Sequence, residues 1–291
     1  MFLERSGENA HRILHTIEGP QGITAAFRTF GERSMPAVVM VHGWMQAGNC
    51  WRKQIAVLAQ SHSVVTIDLP GHGRSGSLTG DHVTSPLLCP QSLRAVLKYL
   101  DLHESPIVLG GWSFGGGVIN LYRHMCGVEH VASIITFGTS IGSMRVEDVD
   151  SDVFTETMNM NDSRLPAPVR LASLPSFQRL LTYEPPTEDE YDETYGYNRT
   201  SLEKSWKVDG SEVMPVLGGQ GVEREVREAK IPFLIVQGKH DALVPVAVAY
   251  AFQEAVPHAH LLLLDCGHSA FLEEAEQVNK VLLNILDALS A

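Results

Sequence analysis

Short apolar runs recurring between stretches of helical spacing narrow the possible fold more than any other feature of this chain. AVVMV (37–41), SVVTI (63–67), PIVLG (106–110), ASIITF (132–137), PFLIVQ (232–237) and HLLLLD (260–265) are apolar on both alternating positions. Strands covered on both faces of a parallel sheet have this pattern. Between the runs, Trp51 to Ala59, Ser92 to Leu100, Phe114 to Cys126, Val246 to Ala255 and Phe271 to Leu289 carry apolar residues at helical spacing. Strand and helix in alternation predict an α/β fold with a doubly wound, mostly parallel sheet. Arg12 to Phe30 reads instead as a hairpin, turning at Gly19, Pro20 and Gly22.

From Ile141 to Arg227 the strand signal vanishes, and Pro166, Pro168, Pro175, Pro185, Pro186 and Pro215 cut the segment into short pieces. A length of 291 residues fits one core plus an insertion. Residues 1–140 and 228–291 are therefore expected to form the core, and 141–227 an inserted helical cap. Within it EPPTEDEYDETYGY carries six acids and no base, which reads as a solvated loop.

Composition excludes several classes of function. A net charge of −12 argues against nucleic acid as partner, because phosphate binding needs a surplus of Lys and Arg on some face. The N-terminus carries charges where a signal peptide needs an apolar core, and the longest apolar run, Ala242 to Phe252, is short and broken by Pro245. A cytoplasmic protein with no membrane partner is expected. Cys50, Cys89, Cys126 and Cys266 are far apart without CxxC spacing and are expected to be free thiols. No oligomeric state is assigned.

The stretch GGWSFGGG (110–117) follows an apolar run. As a P-loop it fails because Gly117 stands where the lysine must be, and the dinucleotide fingerprint fails on spacing. What remains is Gly111-Trp112-Ser113-Phe114-Gly115, a G-x-S-x-G between strand and helix, the context of a nucleophile elbow. Side chains at Gly111 and Gly115 would collide with neighbouring elements around such a turn. In this architecture an acid follows a later strand and a histidine comes last. Asp241 and His268 stand just past the ends of the last two predicted strands, at the sheet edge expected to carry Ser113. His268 would take the Ser113 Oγ proton, and Asp241 would fix its tautomer. The oxyanion hole is expected from the backbone N–H of Phe114 and that of Trp44, with Met45 as the alternative donor. His42 is expected to be structural, since the triad already has its base.

His42-Gly43-Trp44, Asp68 to Ser75 (DLPGHGRS), Gly111 to Gly117, Gly238-Lys239-His240-Asp241 and Gly267-His268 followed by Glu273 together resemble the α/β-hydrolase superfamily. Within it, HGW and G-x-S-x-G-G-G are similar to the bacterial arylesterase and cofactor-free haloperoxidase (perhydrolase) group. The resemblance implies the α/β-hydrolase fold and hydrolytic chemistry without a cofactor. Serine at the elbow, where dehalogenases and epoxide hydrolases of this fold carry a carboxylate, points to acyl transfer. The leading expectation is hydrolysis of a small to medium, largely apolar carboxylic ester or lactone through acyl-Ser113. Trp112, Met45, Met144, Met158 and Met160 are candidate pocket residues beside Trp44 and Phe114. No metal is expected, since His258 and His260 lack a third ligand at suitable spacing. The alternatives are carbon–carbon bond hydrolysis or lyase chemistry, cofactor-independent oxygenation or perhydrolysis, and a non-enzymatic ligand receptor on the same fold.

Overall fold

The computed structural model describes residues 13–32, 36–78, 87–139, 159–160, 162, 164–204 and 222–290. Strands β1 (Ile13–Glu18), β2 (Thr24–Phe30), β3 (Ala37–Val41), β4 (Val64–Asp68), β5 (Ile107–Trp112), β6 (Val131–Phe137), β7 (Phe233–Gly238) and β8 (His260–Leu264) form one eight-stranded sheet in the order β1-β2-β4-β3-β5-β6-β7-β8. β1, β2 and β4 pair antiparallel, and every pairing from β4 to β8 is parallel. All six apolar runs are strands, and β3, β4, β5 and β7 are buried at every position. The predicted hairpin is β1–β2, with a short 3-10 turn at Pro20–Gly22.

Helices α1 (Arg52–Leu58), α2 (Leu88–Tyr99), α3 (Phe114–Cys126), α8 (Val246–Ala255), α9 (Ala270–Glu273) and α10 (Ala275–Ser290) cover the sheet. α1 packs on α10, α2 on α3, and α8 on β7 and β8. The last predicted helix is two helices, since Glu274 leaves helical angles at φ −111° and ψ 41°. One connected core of buried side chains runs through the molecule, from Phe27 and Val39 through Trp112 and Phe137 to Phe271 and Leu286.

Between β6 and β7 the described chain is helical: α4 (Ala167–Ala172), α5 (Leu174–Arg179), α6 (Glu188–Lys204) and α7 (Val222–Ala229). α6 corrects one expectation, because the acidic stretch is not a loop. Thr187 and Glu190 bond reciprocally: Thr187 N–H donates to Glu190 Oε2 and Glu190 N–H to Thr187 Oγ1, each at 3.3 Å. This is a capping box, and Glu188, Asp189 and Glu190 in the first turn complement the helix dipole. The charge run that looked like a solvated loop is a helix start. Four of its fellow residues tie α6 to the core: Glu190 and Glu193 meet Arg52 and Lys53, Asn198 accepts from Gln46 Nε2 at 2.7 Å, and Lys204 Nζ donates to the Gly73 and Ser75 carbonyls.

Candidate active site

The parallel strands all point their C-terminal ends to one edge. After β3 the chain moves to β4 on one side, and β5 lies on the other side of β3. The crevice between β3 and β5 is thus the switch point where open α/β sheets bind ligands. The loop His42-Gly43-Trp44 leaves β3 there, and Ser113 leaves β5.

Ser113 has φ 51° and ψ −117°, a combination that L-residues seldom adopt. Its N–H donates to the Phe137 carbonyl at 2.9 Å, and its own carbonyl accepts from Gly116 at 3.0 Å as α3 begins. A Cβ at Gly115 would run into the Val41 and His42 carbonyl oxygens, and one at Gly111 would lie 2.7 Å from Gly116 Cα. Glycine at these two positions lets the helix start press on the β3 loop, as the sequence pattern demands. Phe114 N–H, at the first position of α3, has no intrahelical acceptor.

His42 is fully buried and uses both ring nitrogens. Nδ1 donates to the Gly43 carbonyl at 2.7 Å, and Nε2 accepts from Leu69 N–H at 3.0 Å. Burial, the largest influence, holds its pKa below the ordinary value, so the ring is a neutral strut. The strut has a directional effect. In a trans peptide the C=O and the following N–H point oppositely, so fixing the Gly43 carbonyl onto His42 aims Trp44 N–H the other way. The same carbonyl closes a turn by accepting Gln46 N–H at 3.2 Å, with Met45 at φ 59°.

His268 Nδ1–H donates to Asp241, at 2.9 Å to Oδ2 and 3.0 Å to Oδ1. Both side chains are buried. The Asp241 carboxylate also accepts Leu243 N–H, Val244 N–H and Gln237 Nε2 between 2.8 and 3.0 Å. His268 lies next to the end of β5, since Trp112 Nε1–H donates to the His268 carbonyl at 3.0 Å and the two rings lie 5.5 Å apart. Among the described residues no hydrogen bond joins Ser113 Oγ to His268 Nε2. Such bonds commonly tighten only when substrate is bound.

One residue at this edge was quoted in the sequence motif without a role. Glu273 accepts Gly267 N–H on Oε1 at 3.0 Å, and Tyr183 and Glu184 N–H on Oε2 at 2.7 and 3.3 Å. It joins the turn before His268 to the link between α5 and α6. Burial raises its carboxyl pKa above the ordinary range, against the pull of those three N–H donors.

Of the candidate pocket residues, Trp112 lines a cavity of about 250 Å³ under α5 and α6. Met45 and Met160 are fully buried in the core, while Met144 and Met158 lie outside the described residues. The four cysteines are free, and burial raises the Cys266 thiol to about 12. No described helix is long and apolar enough to cross a membrane.

Solved structures share this architecture. An esterase from Rhodococcus sp. ECU1013 superposes with a TM-score of 0.78 at 24% identity, covering 95% of this chain and 99% of that one. A bromoperoxidase from Bacillus anthracis gives 0.78 at 21% identity, covering 94% and 100%. In sequence, a pimeloyl-[acyl-carrier protein] methyl ester esterase from Xylella fastidiosa is 26% identical over 273 residues, covering 87% of this chain and 96% of that protein. The model of the alpha/beta hydrolase family matches residues 38–281, which take in the elbow, the buried His–Asp pair and all but the first two strands of the sheet; the chain belongs to that family.

Proposed function

We propose that the protein is a carboxylic ester hydrolase in which Ser113, Asp241 and His268 form the catalytic triad. The observation that carries the reading is the buried His268–Asp241 hydrogen bond, held beside a positive-φ serine at the switch point of the sheet. Curated relatives that are methyl ester esterases support it independently.

In this reading His268 Nε2 removes the Ser113 Oγ proton as Oγ attacks the ester carbonyl carbon. Asp241 holds Nδ1–H in place and stabilises the imidazolium. The negative charge that develops on the carbonyl oxygen faces Phe114 N–H, left unpaired by the helix start, and Trp44 N–H, oriented by the His42 strut. Collapse expels the alkoxide, which takes the proton from His268, and leaves acyl-Ser113. Water activated by His268 repeats the sequence and frees the acid. We assign the segment 141–227 the part of a cap over this edge and take a small to medium, largely apolar ester or lactone as substrate.

The test is p-nitrophenol release from the acetate and butyrate esters by the wild type and by Ser113→Ala. Loss of the nucleophile should lower kcat on the order of 10⁶-fold. Comparable rates in the two proteins would remove Ser113 from the mechanism.

A further inference from the structure

His268 follows a glycine, and the fold leaves that position no other choice. A Cβ at Gly267 would lie 2.5 Å from Tyr183 N and 2.8 Å from the Thr182 carbonyl carbon, because the link between α5 and α6 passes directly against it. Glycine has the widest choice of backbone angles, so the histidine would inherit that freedom unless the turn were held from outside. Two hydrogen bonds flank the root of His268 and hold it. On the far side Trp112 Nε1–H donates to the His268 carbonyl at 3.0 Å, and on the near side Gly267 N–H donates to Glu273 Oε1 at 3.0 Å.

Glu273 also reaches a second segment. Its Oε2 accepts Tyr183 N–H at 2.7 Å and Glu184 N–H at 3.3 Å, both from the link. A brace for the turn alone would need one acceptor, whereas joining two segments that each present donors needs two. A carboxylate has two acceptor oxygens; a glutamine would turn its NH2 onto one set of donors. Burial raises the Glu273 pKa, and among the described residues no cation pairs with it, so the backbone donors are what holds the charge.

The same link touches the other half of the His268–Asp241 pair. The Tyr183 ring stacks on His240, the residue before Asp241, with centroids 3.9 Å apart and planes 14° apart. His240 in turn bonds Asp265 Oδ1 through Nε2 at 2.8 Å and donates its N–H to the Cys266 carbonyl at 3.0 Å. The loops after β7 and β8 are thus fastened to each other and, through Glu273 and Tyr183, to the link.

We propose that Glu273 is a positioning residue for His268, with Tyr183 as its lesser counterpart on the Asp241 side, and that the link between α5 and α6 belongs to the scaffold that sets the histidine. The proposal rests on the ester hydrolase reading, in which His268 is the base.

The experiment measures p-nitrophenyl butyrate kinetics in wild type, Glu273→Gln and Tyr183→Ala, beside NMR of the His268 Nδ1–H and Trp112 Nε1–H protons, with Trp51 Nε1–H as the distant reference. A misplacement of 1 Å at a reacting group can cost about 100-fold; with Trp112 and Asp241 still holding His268, Glu273→Gln is expected to lower kcat about tenfold and to leave KM within about twofold. The His268 and Trp112 signals should shift or broaden while that of Trp51 stays. Tyr183 is 53% exposed, so Tyr183→Ala should fold; it is expected to lower kcat about threefold and to move the same two signals less. Should Glu273→Gln fail to fold, Tyr183→Ala decides by the same readouts. A lowered unfolding midpoint with kcat, KM and both signals unchanged would make Glu273 a structural brace only and overturn the proposal, as would a loss confined to KM. If the wild type cleaves no ester, the esterase reading falls and the signals decide alone: displaced in Glu273→Gln, they keep the positioning of His268, and unmoved, they overturn it as well.

Discussion

Two histidine–aspartate sets stand at the same edge of the sheet, and their partners differ in kind. At the ends of β3 and β4, His42 has both nitrogens bonded to backbone, and Asp68 is neutralised by Arg28 at 3.3 Å while accepting Gly48 and Arg74 N–H. At the ends of β7 and β8, Asp241 has no permanent cation as partner among the described residues, and its one ion-pair partner is His268 through Nδ1. The difference lies in what each carboxylate is still able to do. One already matched to a guanidinium has little left to give a forming imidazolium, whereas one surrounded by neutral donors favours the charge appearing on its histidine. A histidine with both nitrogens occupied holds two loops together and cannot relay a proton.

The comparison breaks most visibly if the two aspartates are exchanged for asparagine. Asp241→Asn should cut kcat on the order of 10⁴-fold, since the neutral side chain presents the wrong tautomer to His268. Asp68→Asn should act on the fold instead, costing about 3–5 kcal/mol by leaving the Arg28 charge buried without its partner. Steady-state kinetics beside denaturant titration separates the two, and equal losses of activity per folded molecule would refute the contrast.

Acid should weaken the packing around His42 and His72, whose rings lie 5.1 Å apart. Burial, with His42 adding to it, holds His72 down to about 3, and burial also keeps His42 below its ordinary 6.5. The unfolded chain therefore binds these protons at a higher pH than the folded protein does. The stability that depends on their neutrality is complete above about pH 6.5 and is lost as pH falls toward 3. Thermal unfolding followed over that range should show a falling midpoint, shallower in His72→Asn.

Glu273 gives the smallest effect, at the turn before His268. Its raised pKa has the opposite sign: the folded state takes up the proton first, so this contribution is complete below the ordinary carboxyl value of 4.5 and is lost as pH rises through the folded value. Glu273→Gln removes that dependence. The stability of the variant relative to wild type should thus be more favourable at pH 7 than at pH 4, and a difference flat with pH would show that the carboxyl does not titrate there.

Much of this was readable from residue order. α3 and α8 begin and end at the predicted residues, because their apolar spacing is bounded by the elbow glycine pattern on one side and by Pro245 on the other. Motif and chain order singled out Ser113, Asp241 and His268, and the structure brings the last two into one buried hydrogen bond. α6 was misread because the acids outweighed the Thr187–Glu190 capping signature standing in plain view. The break at Glu274 was missed for a different reason: Glu273 turns back to Gly267, a contact with no trace in helical periodicity.

Local chemistry, then, determined the elements and the tight turn at Ser113, since apolar period, glycine spacing and a serine between glycines act over a few residues. Tertiary structure alone supplied the partners, a backbone group on each ring nitrogen of His42 and a buried carboxylate on Nδ1 of His268. It also decided that Gln178 would be buried with its amide nitrogen on the Tyr191 carbonyl. Both depend on hydrogen-bond partners far away in the chain, and a buried polar group is defined by what surrounds it rather than by its neighbours in sequence.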